Sequence, residues 1–147
     1  MTSEFAIAVH ALVFLNHKGC CLSSEKIAEN VCTNPVTVRK VLAKLKRAGL
    51  VETKEGIEGG SCFVKNPARV TLAQICAAMD EIPVTVSKRT GYQDRNCLLA
   101  LGMADMMEDI YANMNAQCLE YLKETTIADI ERKIFGNAGG KEEKNKN

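Results

Sequence analysis

The sequence predicts a mainly α-helical fold with one small β-hairpin. Three segments predict it. Residues 33–48 have the period of an amphipathic helix with a basic outer face, residues 49–64 have the alternation and glycines of a hairpin, and residues 96–123 have the longest helical period. The order of these segments indicates a small N-terminal domain followed by a long helix.

The composition permits one domain with its own core, and the bulk charge indicates no partner. The 147 residues have a net charge of +1, but residues 1–70 contain ten Lys/Arg and six Asp/Glu, whereas residues 71–147 contain nine and twelve. At this length a chain can bury about two thirds of its surface without disulfides. The basic half contains residues 33–48, so this half is the candidate for binding a polyanion.

Seven cysteines are many for a chain of this length. The first residues lack the basic and apolar pattern of a signal peptide, and no apolar run approaches the ~18 residues of a membrane span. We therefore expect a cytoplasmic protein without membrane contact, whose thiols stay reduced and mostly pack in the core. The neighbours Cys20 and Cys21 leave open a soft-metal site or a strained vicinal disulfide.

Two helices are expected before the basic segment. Residues 3–17 have apolar side chains at helical spacing and are followed by Lys18 and Gly19, as is typical of a helix C-terminus. Ser23 is the expected N-cap of a short second helix, with Glu25 in its first turn. A tight polar turn then leads into the basic segment.

The basic segment 33–48 has a clear helix start and end. Thr33 or Asn34 is the expected N-cap, and Pro35 suits the first helical position. Gly49 suits the C-terminus. The apolar face consists of Val38, Val41, Leu42 and Leu45. The opposite face consists of Val36, Lys40, Ala43 and Arg47, flanked by Arg39 and Lys44. A short helix, a turn and a basic second helix form the helix-turn-helix pattern, in which the second helix enters the DNA major groove.

The hairpin that follows adds a wing to this motif. Residues 49–53 and 61–64 are the predicted strands, and the connection between them contains Gly56, Gly59 and Gly60. Glycine allows a backbone to approach a phosphate or the minor groove closely. A hairpin directly after the second helix predicts a winged helix-turn-helix domain, assigned to residues 1–80.

The acidic half contains the segments expected to join two copies of the chain. Thr71 is the expected cap of a helix over residues 72–80, and residues 81–96 form a connecting loop without helical period. The long helix has an apolar stripe wider than its own domain can cover, which predicts a homodimer. The stripe is represented by Leu99, Met103, Met106, Ile110 and Met114. Residues 97–135 are therefore assigned as dimerisation helices, and the glycine-rich residues 136–147 as a disordered tail.

In this order the motifs resemble the Rrf-type bacterial winged-helix transcription regulators, the group of IscR-like, NsrR-like and CymR-like repressors. The resemblance covers residues 3–135. It rests on Ile27-Ala28 in the second helix, Leu42…Leu45…Ala48-Gly49-Leu50-Val51, Gly56-x-x-Gly59-Gly60-x-x-x-Val64, Val70-Thr71-Leu72-x-x-Ile75, Asn96-Cys97 and Thr126-Ile127-x-Asp129. It implies a homodimer that crosses at the long helix and places two recognition helices on a palindromic operator of double-stranded DNA.

The resemblance also implies which residues contact DNA. It assigns the major groove to Asn34, Val36, Thr37, Arg39 and Lys40, the wing tip to Gly59 and Gly60, and a nearby phosphate to Ser3. The helix itself adds Lys44 and Arg47 as partners for phosphates. Arg39 is the candidate for a bidentate contact to guanine.

The chain departs from the iron–sulfur members of this group. Their three clustered cysteines precede the long helix, whereas the loop 82–96 contains none and only Cys97 falls at a matching position. A cluster needs about four protein ligands, so we expect no cofactor and no metal. Cys97 is instead a candidate thiol sensor, because a helix N-terminus and the nearby Arg95 both lower the pKa of a thiol. The alternative is that Cys97 is only a packed cysteine. The signal that controls the regulator would then be a small effector or a protein partner.

Other classes of protein fit less well. The sequence has two histidines and lacks a phosphate-binding glycine loop, a metal-spaced cysteine set and a nucleophile motif, so we expect no enzyme. The alternatives are a winged-helix module that binds protein rather than DNA, and an iron–sulfur-dependent regulator. The basic helix argues against the first alternative and the missing cysteines argue against the second.

Overall fold

The polypeptide is mainly helical with a single hairpin among the residues that the structure describes, and this confirms the predicted fold class. The structure, a computed structural model, describes residues 1–85, 88, 90, 91 and 96–144, and for residues 137–144 it describes the backbone alone. The helices are α1 (Ser3–Lys18), α2 (Ser24–Val31), α3 (Pro35–Arg47), α4 (Leu72–Ala78), α5 (Leu98–Glu124) and α6 (Ile127–Lys144), and the strands are β1 (Val51–Lys54) and β2 (Gly60–Phe63).

Short polar side chains cap α2, α3 and α4, as the sequence predicts. The Ser23 hydroxyl accepts a hydrogen bond from the Lys26 backbone N–H at 3.3 Å, and the Asn34 side chain accepts one from Val36 at 2.8 Å. Thr71 forms a reciprocal capping box with Gln74 at the start of α4. The Ser23 and Asn34 caps fix where the two helices of the helix-turn-helix begin.

The wing is a two-stranded antiparallel sheet that pairs with the segment before α2. Val51 lies opposite Phe63, and Lys54 lies opposite Gly60. Leu22 and Ser61 exchange two backbone hydrogen bonds of 3.0 and 2.8 Å and form an isolated antiparallel bridge beside the sheet. The hairpin is therefore attached to the entrance of the helix-turn-helix.

One hydrophobic core unites the N-terminal helices with α6. Leu12, Leu15, Ile27, Leu45 and Ile75, from α1 to α4, are almost completely buried. Ile127, the first residue of α6, is buried in the same cluster. The proposed division between residues 1–80 and 97–135 is therefore not a boundary in the packing, because α6 returns to cover α1.

Helix α5 extends away from this core. Its 27 residues span about 40 Å at 1.5 Å per residue. Only Ala104 and Leu122 of this helix are buried. None of the described helices is both long and apolar enough to cross a membrane.

Two expectations about the chain are wrong. Helix α6 continues to Lys144, so residues 136–144 do not form the disordered tail that was predicted, while residues 145–147 lie outside the described part. No proline interrupts the chain after Phe135, and the helix formers Lys141–Lys144 tolerate extension despite the glycines.

The second wrong expectation concerns the cysteines. Cys76 packs in the interior, but the thiols of Cys20, Cys32 and Cys97 belong to exposed residues. Cys21 forms a disulfide with Cys62 rather than with its neighbour Cys20. The backbone pairing of Leu22 with Ser61 brings these two cysteines together. The expectation of reduced and mostly packed thiols is therefore wrong.

Candidate nucleic-acid interface

Helix α3 presents a basic face to solvent because its apolar face is packed in the core. Its four apolar stripe residues are at most 5 % exposed. This orientation leaves an outer face in solvent that consists of Asn34, Val36, Arg39, Lys40, Ala43 and Arg47. Thr37 is half-buried beside this face. All the predicted major-groove residues thus lie along one helix, although the Asn34 side chain is already engaged as the N-cap.

A carboxylate of α1 neutralises two of the predicted cations. Lys40 Nζ lies 2.6 Å from Glu4 Oε1, and Lys44 Nζ lies 2.7 Å from Glu4 Oε2. The Lys40 side chain is 64 % exposed, whereas that of Lys44 is 19 % exposed. Lys44 also donates to the Met79 carbonyl at 3.2 Å. Lys44 therefore holds α3 against α1 and the end of α4, a position that does not favour the phosphate contact predicted for it.

The Glu4 carboxylate is stabilised in its charged form by this arrangement. Hydrogen bonds from Lys40 and then Lys44 hold the pKa of Glu4 below its ordinary value of 4.5. A carboxyl whose pKa is lower in the folded protein stabilises the fold above its unfolded pKa, and this contribution disappears as the pH falls through the folded pKa. Glu4 is thus a pH-dependent link between α1 and the basic helix.

We expect Glu4→Gln to lower the free energy of unfolding by about 1–2 kcal/mol at pH 7, because Lys44 loses a charged partner in a poorly hydrated position. The difference from the wild type should shrink as the pH falls below 4.5, because the wild-type carboxyl then becomes protonated. Urea denaturation at several pH values measures both effects. Glu120→Gln, which removes the exposed ion pair with Lys123, is the control and should change stability by less than about 0.5 kcal/mol.

Arg39 is oriented by a second carboxylate. Its guanidinium contacts Glu25 of α2, and both side chains are more than half exposed. The backbone N–H of Glu25 donates a hydrogen bond to the Glu25 carboxylate and lowers its pKa, and Arg39 lowers this pKa further. Because the pair is in water, its net stabilisation is small and Arg39 can exchange Glu25 for another acceptor.

The tip of the wing is the connection between β1 and β2, residues 55–59, which contains the predicted Gly59 but not Gly60. Gly56, with φ of 105°, lies in the turn, and Ile57 beside it is fully exposed. Gly60 is the first residue of β2, and a Cβ there would collide with the Leu22 carbonyl. Gly60 therefore permits close packing against the Leu22 backbone, and the tip itself contains the exposed acids Glu55 and Glu58. This charge makes the wing a weaker phosphate site than α3.

Ser3 and the α5 residues are all accessible. Ser3 is exposed at the first position of α1, next to the Glu4 that contacts Lys40. The α5 stripe Leu99, Met103, Met106, Ile110 and Met114 is between 39 % and 71 % exposed. Tyr121, further along the helix, is also exposed. This row forms an open apolar face that the described part of the chain leaves to solvent.

The family model and the related proteins that match this chain are all described as transcriptional regulators. A model of the Rrf2 family, described as iron-dependent transcriptional regulators, matches residues 1–133. A protein of Bacillus subtilis named as an HTH-type transcriptional regulator, YwnA, is 35 % identical over 83 residues, which span 55 % of this chain and 59 % of YwnA.

Solved structures share the fold. A crystal structure of a transcriptional regulator from Lactobacillus plantarum has a TM-score of 0.78 and 24 % identity, with 99 % of this chain and all of that chain covered. IscR of T. potens has a TM-score of 0.68 and 18 % identity, with 91 % and 87 % covered. At these identities the likeness concerns the fold.

The cysteines of this chain do not fit an iron–sulfur cluster. Such a cluster is held by about four cysteines or close substitutes. Cys97 is the exposed N-cap of α5, and Cys118 is half-buried on the same helix. Arg95, the predicted basic neighbour of Cys97, lies outside the described residues. Nowhere in the described ranges do three His, Cys, Asp or Glu side chains gather to hold a metal ion.

Proposed function

The chain belongs to the Rrf2 family of transcriptional regulators, and we propose that it is a repressor that binds a palindromic operator as a homodimer. Members of the family are DNA-binding regulators and not enzymes. The observation that supports a dimeric, DNA-binding repressor most directly is the exposed basic face of α3 together with the open apolar face of α5.

Helix α3 is the proposed reader of the major groove. Arg39 supplies two parallel N–H donors that match the O6 and N7 atoms of guanine. Lys40 and Arg47 supply charge to phosphates, which gives much of the affinity and its salt dependence. Val36 is 66 % exposed at the N-terminal end of the helix, and an apolar side chain there suits the methyl group of thymine.

Helix α5 is the proposed dimer contact. Burial of its apolar face against the same face of a second copy removes several large side chains from water. Each Å² of apolar surface buried in this way stabilises the dimer by about 25 cal/mol. A two-fold symmetric dimer presents two copies of α3, and half-sites one helical turn of DNA apart, about 34 Å, would accommodate them. The operator is therefore proposed to be a palindrome.

The proposed regulator acts in the cytoplasm and releases DNA on a signal. A small effector is one class of signal. An apolar cavity of about 370 Å³ between α1, α4 and α6, lined by Phe5, Val9, Leu72 and Ile130 among others, has a size that suits such a molecule. A change in the redox state of cysteines is the other class, at Cys97 or at the disulfide.

We expect the full chain to select a palindromic motif from fragments of its source genome. The affinity for that motif should fall steeply with salt, because cations of α3 displace counterions from phosphates. Sequencing of bound fragments and titration at several salt concentrations measure these properties. Salt-independent retention of DNA without a preferred sequence would support the rival protein-interaction module instead.

A further inference from the structure

A disulfide joins the entrance of the helix-turn-helix to the wing. Cys21 precedes α2, Cys62 lies in β2, and their Cα atoms are 4.3 Å apart. The adjacent residues Leu22 and Ser61 exchange both backbone hydrogen bonds. Cys21 and Cys62 are therefore the neighbouring non-hydrogen-bonded pair, in which antiparallel strands bring Cα atoms to about 4.5 Å. The backbone pairing thus places the two cysteine side chains next to each other on one face of the two segments.

The bond closes a loop that contains the DNA-reading elements. Cys21 and Cys62 are 41 residues apart, and α2, α3 and β1 lie between them. The chain leaves this loop through β2, whose pairing with β1 forms the wing. Without the covalent bond, the two hydrogen bonds of Leu22 and the close packing of Gly60 are the local attachments of the wing to this segment.

Small oxidants and reductants can reach the pair from solvent. A cavity of about 470 Å³ borders both cysteines and is lined also by Cys20, Glu52 and Lys54. Cys21 is half-buried, whereas Cys62 is 7 % exposed. The thiol of Cys21 is therefore the more accessible point of attack, and Cys62 is the partner that closes the bond.

We propose that Cys21 and Cys62 are a reversible dithiol–disulfide site that controls DNA binding by fixing the wing to the helix-turn-helix. The oxidant class is a peroxide. The Cys21 thiolate takes an oxygen atom from hydrogen peroxide, and with one proton this gives a sulfenic acid and water. The Cys62 thiol then displaces the sulfenic hydroxyl, which leaves as a second water when the S–S bond forms. A low-molecular-weight thiol reverses the reaction by exchange and is itself oxidised to its disulfide.

The oxidised state is the tighter DNA-binding state. The disulfide fixes β2 of the wing relative to the segment before α2. Because this conformational freedom is already lost in the free protein, DNA binding costs less entropy. Reduction restores that freedom without removing any group that contacts DNA. The effect is therefore on affinity and leaves the preferred sequence unchanged. This inference rests on the proposed function of α3 as the reader of DNA.

The test measures thiols and DNA affinity together on the full chain. Reduced and hydrogen-peroxide-treated samples are alkylated and mapped by mass spectrometry, and their affinity for the selected operator is titrated. We expect a Cys21–Cys62 bond in the peroxide-treated sample. Its dissociation constant for the operator should be roughly five- to tenfold lower than that of the reduced sample, the size expected from ordering one short segment. Cys62→Ser and, independently, Cys21→Ser should bind equally in both conditions.

Two matched variants separate this site from other thiols. Cys20→Ser removes the exposed neighbour in the same cavity, and Cys97→Ser removes the candidate sensor at α5; both should respond like the wild type. Equal or weaker binding by the oxidised wild type, or a full response by Cys62→Ser, would overturn the inference. Absence of DNA binding in both redox states would instead overturn the proposed function, and the mapped disulfide would still report whether the bond forms.

Discussion

Replacing Arg39 by alanine is expected to weaken operator binding by about 10- to 100-fold and to relax the preference at one base pair. Arg39 lies on the exposed face of α3, and its guanidinium is paired with the solvent-exposed carboxylate of Glu25. Exchanging that carboxylate for a guanine edge gives two parallel hydrogen bonds, which alanine cannot form. Titration against operators with single base changes measures both effects.

Companion variants show whether the loss is specific to base reading. Lys40→Ala should weaken all sequences alike and reduce the salt slope by about 1, because a phosphate contact contains no base information. Glu25→Gln leaves Arg39 in place without its acidic partner, and it should retain the base preference. Arg132→Ala on α6, where the arginine is 74 % exposed, is the control outside the interface. An unchanged base preference in Arg39→Ala would contradict the assigned role.

Elements with local signals could be predicted from the sequence. The N-caps Ser23, Asn34 and Thr71 and the buried stripe of α3 depend on residues within one or two helical turns of each other. Their side chains act on the nearest backbone, so spacing alone identifies them. The winged helix-turn-helix follows from the order of such elements, and for this reason the fold class was correct.

Contacts between distant segments could not be predicted in this way. Glu4 binds Lys40 and Lys44 across the α1–α3 packing, and Cys21 meets Cys62 beside the Leu22–Ser61 bridge, which the alternation of β1 and β2 does not reveal. A helical wheel placed Lys44 beside the outer face, but its flexible stem allows the ammonium to reach inward to Glu4. The role of a residue at the edge of a face is therefore decided by what the neighbouring helix offers.

The double substitution Met106→Glu and Ile110→Glu is expected to convert the protein to a monomer and to lower operator affinity by about 10²- to 10⁴-fold, the range by which linked sites exceed single ones. Both side chains are largely exposed on α5 of the single chain, at 57 % and 42 %, so the charges should leave the fold of one copy intact. In a dimer they would meet the same charges of the second copy without water, which is strongly unfavourable. Sedimentation equilibrium measures the mass, and circular dichroism checks the fold.

The same helix provides the control for this prediction. Lys123 lies off the apolar stripe and is 60 % exposed, so Lys123→Glu introduces a charge change on α5 without touching the proposed contact. It should remain dimeric and bind the operator as the wild type does. The monomer, by contrast, should still recognise a single half-site, because Arg39 and Lys40 are unchanged. A Met106→Glu, Ile110→Glu protein that stays dimeric with full affinity would mean that the two copies of α3 are joined through a different surface.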